Sequence, residues 1–165
     1  MTLWFLVPFL LLVSVVQVTL LPLISIAGYK IDLALILVVA QALVGTPGTA
    51  SQWGFIVGLF LDLASGLPFG IHALTLTVIG LLMDLGEAAF FRGNVLAPPI
   101  AMISATLVYN ILILAILALL NWSIDWGDYL FRIILPSAIL NTAAMPVAYF
   151  PLQWLQRRIR PRLEV

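Results

Sequence analysis

The chain has 165 residues, 64% of them hydrophobic and 8% charged, with a mean hydropathy of +1.20. Seven basic residues balance seven acidic ones, and there is no cysteine. A soluble domain, a basic nucleic-acid surface, disulfides, thiol nucleophiles and zinc–thiolate sites are thereby excluded, and the composition is that of a polytopic, all-α membrane protein.

Six apolar segments are predicted in chain order. Each full span needs about 20 mostly apolar residues, so six of them use nearly all of 1–165 in a single integral membrane domain. The first segment, 3–26, has Pro8 and Pro22 near its ends. It lacks a basic leader and a small-residue cleavage site, so it reads as a retained span rather than a signal peptide. The second, 31–44, ends at "GTPGT", and the third, 53–64, ends at "SGLPFG". At about 1.5 Å per residue both are shorter than the roughly 30 Å hydrocarbon core. They extend with their flanks, thin the bilayer, or form a re-entrant hairpin, which would leave four spans. The fourth covers 69–91, the fifth 95–120 and the sixth 129–155. Pro136 and Pro146 lie inside the sixth, which is expected to bend or break. No internal repeat stands out.

Orientation follows from Lys and Arg near the span ends. Arg157, Arg158, Arg160 and Arg162 place the C-terminal tail in the cytoplasm, and six spans place the N-terminus there as well. Arg92 also falls inside, whereas Lys30, Arg132 and the "NWSIDWGDY" loop with Asp125 and Asp128 fall outside. Trp4, Trp53, Trp122, Trp126 and Trp154 lie near predicted span ends, where indoles favour the interface.

The polar residues inside the apolar runs are the candidates for function. Gly54, Gly58 and Asp62 are spaced by four and share one helical stripe, with Ser65 near it. Glycines at that spacing let another backbone approach. A carboxylate facing lipid costs at least several kcal/mol, so Asp62 should face protein or water. It could brace the turn before "SGLPFG", make a partner or internal polar contact, or serve a proton or ion relay. Asp84 and Glu87, three apart, read as a solvated helix end with Arg92 as a partner. His72 is the single histidine. With no second histidine and no cysteine, a metal site is not expected, and no cofactor is. His72 is expected at an interface or on a backbone carbonyl, and Asn110 and Asn141 to hydrogen-bond between helices. No nucleophile–base pairing, phosphate loop or nucleotide fingerprint is present, which argues against an enzyme.

The stretch "GFIVGLFLDLASGLPFGIHAL", with the preceding "KIDLALILVVAQAL" and the basic C-terminus, resembles the rod shape-determining protein MreD family. Its central motif is G-F-x-x-G-x-x-x-D-x-x-S-G-x-x-x-G, carried here by Gly54, Gly58, Asp62, Ser65, Gly66 and Gly70. Ile31 stands where the family often has proline. The resemblance implies a non-catalytic scaffold of the bacterial cell-elongation machinery in the cytoplasmic (inner) membrane, supporting rod shape and lateral peptidoglycan synthesis. It also implies partners: MreC, the MreB filament, the glycan polymerase RodA and its partner transpeptidase, all alongside the lipid bilayer. The family is similar in architecture to the substrate-binding subunits of energy-coupling-factor vitamin transporters. The alternative reading is therefore a small-molecule-binding membrane subunit, with Asn110, Asn141, Tyr109 and His72 as pocket liners.

Overall fold

The computed structural model describes residues 3–24, 31–86, 96–123 and 125–159. Among them, six main helices and no strand are present. They are α1 (Leu3–Thr19), α2 (Leu33–Val44), α3 (Thr49–Ala64), α4 (Ile71–Gly86), α5 (Ala97–Leu119) and α6 (Leu135–Ile159). Lys30, Glu87, Arg92, Arg160 and Arg162 lie outside the described residues, as do the side chains of Arg157 and Arg158.

Among the described residues, three helical stretches are long and apolar enough to cross a membrane: Trp4–Leu23, Ala97–Leu119 and Trp126–Gln156. α2 and α4 are shorter apolar helices. α2, of 12 residues, is only about 18 Å long. It occupies the centre of the bundle: every residue from Ala34 to Ala42 is buried, and it packs against all five other helices. A helix surrounded by protein has no need to match the bilayer thickness, which explains how so short an apolar segment is accommodated.

The helix ends are written in local chemistry. Asp32 caps α2, its carboxylate accepting the Leu35 amide at 3.0 Å. α5 carries Pro98 and Pro99 in its first turn, where a missing N–H costs nothing. It ends at Asn121, whose φ of 60° lets the Trp122 amide reach back to the Leu117 carbonyl at 3.1 Å. The sixth segment is irregular just before Pro136. Leu130–Ile134 is π-helical, preceded by a single helical turn, Trp126–Tyr129. The Leu135 amide bonds the Leu130 carbonyl, five residues back. A wide turn here moves the chain past the proline ring, whereas Pro146 and Pro151 lie within the continuous α6.

On α1, Leu6, Leu10 and Ser14 recur every four residues and face inward, while Trp4, Phe5, Leu11 and Leu12 are exposed, as a lipid-facing helix requires. Ser14 Oγ donates to the Leu10 carbonyl at 2.9 Å and approaches the Val57 carbonyl of α3 at 3.4 Å. Gln41, buried on α2, donates to Thr49 Oγ1 at 2.9 Å and accepts from Gln156 Nε2 at 3.1 Å, tying the α2–α3 turn to the end of α6. One indole departs from the expected interfacial belt. Trp53 is buried and meets Phe9 edge-on with ring centres 6.3 Å apart, because its face of α3 turns toward α1. Trp4, Trp122, Trp126 and Trp154 are exposed.

Candidate functional site

The closest helix pair in the fold is α3 with α4. Gly54 lies against Leu76, Gly58 against His72 and Ala73, and Gly80 against Ala50 and Ser51. As the α3 number rises the α4 number falls, so the helices run antiparallel. A Cβ on Gly54 would stand 2.3 Å from the Leu76 carbonyl oxygen. A Cβ on Gly58 would stand 2.5 Å from Ala73 Cα, and one on Gly80 2.6 Å from Ser51 Cα. All three clashes are with backbone, which cannot swing aside. The three glycines therefore set the helix separation.

Each end of this pair is closed by a carboxylate. Gly70 precedes α4 with φ +101° and has no side chain with which to cap it. Asp62, at the end of α3, supplies the acceptor instead: Oδ1 takes the His72 amide and Oδ2 the Ala73 amide, both at 2.9 Å. His72 Nδ1 also lies 3.0 Å from Oδ1, so the Nδ1–H tautomer bonds the same carboxylate. The Asp62 side chain is fully buried. Charge-assisted bonds of this kind contribute roughly 1.5–3 kcal/mol each, and the positive end of the α4 dipole adds to them.

The opposite end repeats the device. Gly48 precedes α3 with φ +82° and forms no side-chain cap. Asp84, at the end of α4, accepts the Ser51 amide on Oδ2 at 3.3 Å. Asp84 is buried, and its Oδ1 has no partner among the described residues. This corrects the reading of Asp84 as part of a solvated helix end: the fold brings it onto the first turn of α3. It also corrects the absence of a repeat. "GLFLDL" at 58–63 and "GLLMDL" at 80–85 share one pattern, and each places its aspartate on the N-terminus of the other helix.

Of the motif residues, Gly54, Gly58 and Asp62 thus meet α4 directly. Gly70 provides the left-handed residue that begins α4, and a Cβ on Gly66 would meet nothing within 4 Å. Ser65 Oγ is buried with no hydrogen-bond partner among the described residues.

Ser65 borders a cavity of about 380 Å³. Gln17 of α1, Asp32 at the start of α2, His72 of α4, Tyr109 and Asn110 of α5 and Asn141 of α6 also line it. Asn141, Asn110, Tyr109 and His72, scattered in sequence, are therefore gathered around one space. Asn141 joins helices: Oδ1 accepts the Asp32 amide at 2.9 Å, and Nδ2 points to Thr106 Oγ1 at 3.4 Å. Asn110 instead donates within its own helix, to the Thr106 carbonyl at 2.8 Å. His72 bonds a carboxylate rather than a backbone carbonyl. Gln17 and Asp32 complete the network. Gln17 donates to Asp32 Oδ1 at 3.0 Å and accepts the Ala34 amide at 2.7 Å. These two were not singled out in the sequence, although an aspartate before an apolar run is a recognised cap signal. No group of three metal-ligating side chains occurs among the described residues.

Comparison with known proteins gives one assignment. Neither the curated proteins nor the solved structures yield a match. The family model for the rod shape-determining protein MreD matches residues 1–159. The chain therefore belongs to the MreD family of rod shape-determining membrane proteins.

Proposed function

We propose that this protein is a non-catalytic scaffold of the bacterial cell-elongation machinery in the inner membrane. In this reading it binds MreC and works beside MreB, RodA and the partner transpeptidase to support lateral peptidoglycan synthesis. In this reading all six main helices belong to one membrane domain, with α2 enclosed by the other helices and both termini in the cytoplasm. The observation that carries the reading is how the motif is used. Gly54, Gly58 and Asp62 hold two helix backbones together and are not presented to a substrate. Such a motif maintains a shape that partners recognise. A groove of about 360 Å³ between the start of α5 and α6, lined by Pro98, Pro99, Met145, Pro146 and Phe150 together with Thr142, Tyr149 and Gln153, has room for one or two side chains of a partner helix. Purification from the native membrane should recover an MreC-like partner, and depletion should abolish rod shape. Normal shape on depletion with no such partner recovered would refute the proposal.

The polar cavity favours a second reading, that of a small-molecule-binding membrane subunit built like those of energy-coupling-factor transporters. It would need a separate energy-coupling subunit, since the sequence has no nucleotide motif. A vitamin-sized molecule retained through purification would support this reading.

A further inference from the structure

The cavity beside Ser65 has an uneven balance of donors and acceptors. Its amide side chains direct their nitrogens at the protein: Gln17 Nε2 at Asp32, Asn110 Nδ2 at the Thr106 carbonyl and Asn141 Nδ2 at Thr106 Oγ1. His72 turns its Nδ1 to Asp62, 3.0 Å from Oδ1. The Asn110 side-chain oxygen is left for another donor. Ser65 Oγ is buried and has no partner among the described residues, an arrangement that costs free energy unless something fills it. Among the described residues Asp32 is the one carboxylate in the wall and no lysine or arginine lines it, while Tyr109, whose hydroxyl bonds Asp32, and Ser137 complete the polar lining. The volume lies within the roughly 300–1,000 Å³ usual for small-molecule sites.

We infer that this cavity binds a primary ammonium group, with Asp32 as the counter-charge and Asn110 and Ser65 as hydrogen-bond acceptors. Three N–H donors on one small cation suit a wall that is rich in acceptors and carries one negative charge. Two sources share this chemistry: a free small amine, and an ethanolamine lipid headgroup. The inference is separate from the scaffold reading, because it is measured on the isolated chain while partner capture is measured in cells.

The test uses the full-length protein in nanodiscs of phosphatidylglycerol. Ethanolamine is titrated by calorimetry, with ethylene glycol as the uncharged control and choline as the cation without N–H donors. Ethanolamine should bind, choline at least tenfold more weakly, and ethylene glycol not at all. Asp32→Asn keeps an N-cap residue and removes the charge. Asn110→Leu removes an acceptor at similar volume and leaves Asp32 in place. Each should weaken ethanolamine at least tenfold, and Asn110→Leu, which leaves the α2 cap intact, should keep the ligand-free unfolding midpoint near that of the wild type. In a second arm, phosphatidylethanolamine is mixed into the nanodiscs and bound lipid is read by native mass spectrometry. Its selective retention, with loss of ethanolamine binding, identifies the headgroup as the source; undiminished ethanolamine binding identifies a free amine. The inference is overturned if neither ethanolamine nor phosphatidylethanolamine binds, if ethylene glycol binds as well as ethanolamine, or if both variants bind like the wild type.

Discussion

Asp62 and Asp84 hold equivalent places on two antiparallel helices, and each carboxylate accepts a backbone amide from the first turn of the other's helix. The two caps differ in strength. Asp62 accepts two amides at 2.9 Å and the His72 ring, whereas Asp84 accepts one amide at 3.3 Å. Between them, Gly54, Gly58 and Gly80 bring the backbones together.

The glycines give the first prediction. Gly54→Ala and Gly58→Ala each force a Cβ into backbone and should destabilise the protein by about 1–3 kcal/mol, the usual cost of overpacking. Gly58→Leu should be worse still, and far worse than the neighbouring Leu59→Ile. Gly66→Ala meets open space and should leave the unfolding midpoint unchanged. Thermal unfolding of the purified variants checks the order, and an equal response at Gly58 and Gly66 would contradict it.

Substitutions at Asp62 should be graded. Asn offers one acceptor oxygen where the carboxylate offers two, so one amide of α4 loses its partner. The cost should be about 1–3 kcal/mol, that of an unsatisfied buried donor. Leu removes both acceptors and should cost more. Asp84→Asn should cost less than Asp62→Asn, because one long bond is at stake. Denaturant titration of the three variants measures the ranking.

The two caps sit at opposite ends of 16-residue helices, about 24 Å long. Separated sites with no shared partner usually add within about 0.3–0.5 kcal/mol. The double variant of Asp62→Asn and Asp84→Asn should therefore lose the sum of the single losses. A coupling above about 1 kcal/mol would mean that the helix pair opens as one unit when either cap fails.

Much of this arrangement was legible in the sequence. Gly and Pro punctuation placed the breaks after Val44 and Ala64, and the spacing of Gly54, Gly58 and Asp62 put them on one face. α3 begins at Thr49, four residues before its apolar run, because "TPG" sets the turn and polar residues fill the first turn of the helix. Asp84 was not legible. Three residues from Glu87 and near Arg92, it has the local pattern of a solvated end, and only the antiparallel pairing brings Ser51 to it. The echo of "GLFLDL" in "GLLMDL" was the available signal, but a six-residue apolar pattern is easily lost in a chain this hydrophobic. Trp53 was misplaced for a similar reason. Its position in the sequence says helix end, while its neighbour Phe9 comes from another helix.

Topology is testable apart from function. A reporter fused after Val165 should report cytoplasm, and one inserted at 121–128 should report the exterior. Labelling of the tail by an impermeant reagent in intact cells would contradict the arginine-based orientation.

The most direct measurement of the scaffold account replaces the native protein with Asp62→Asn. Three quantities are then read in the same cells: protein accumulated in the membrane, MreC recovered with it, and cell shape. The account predicts that the three fall together, because Asp62 acts through the helix pair that it holds closed. A variant that accumulates and captures MreC at wild-type levels while the cells lose rod shape would contradict it, and would assign the Asp62 charge or proton a role of its own.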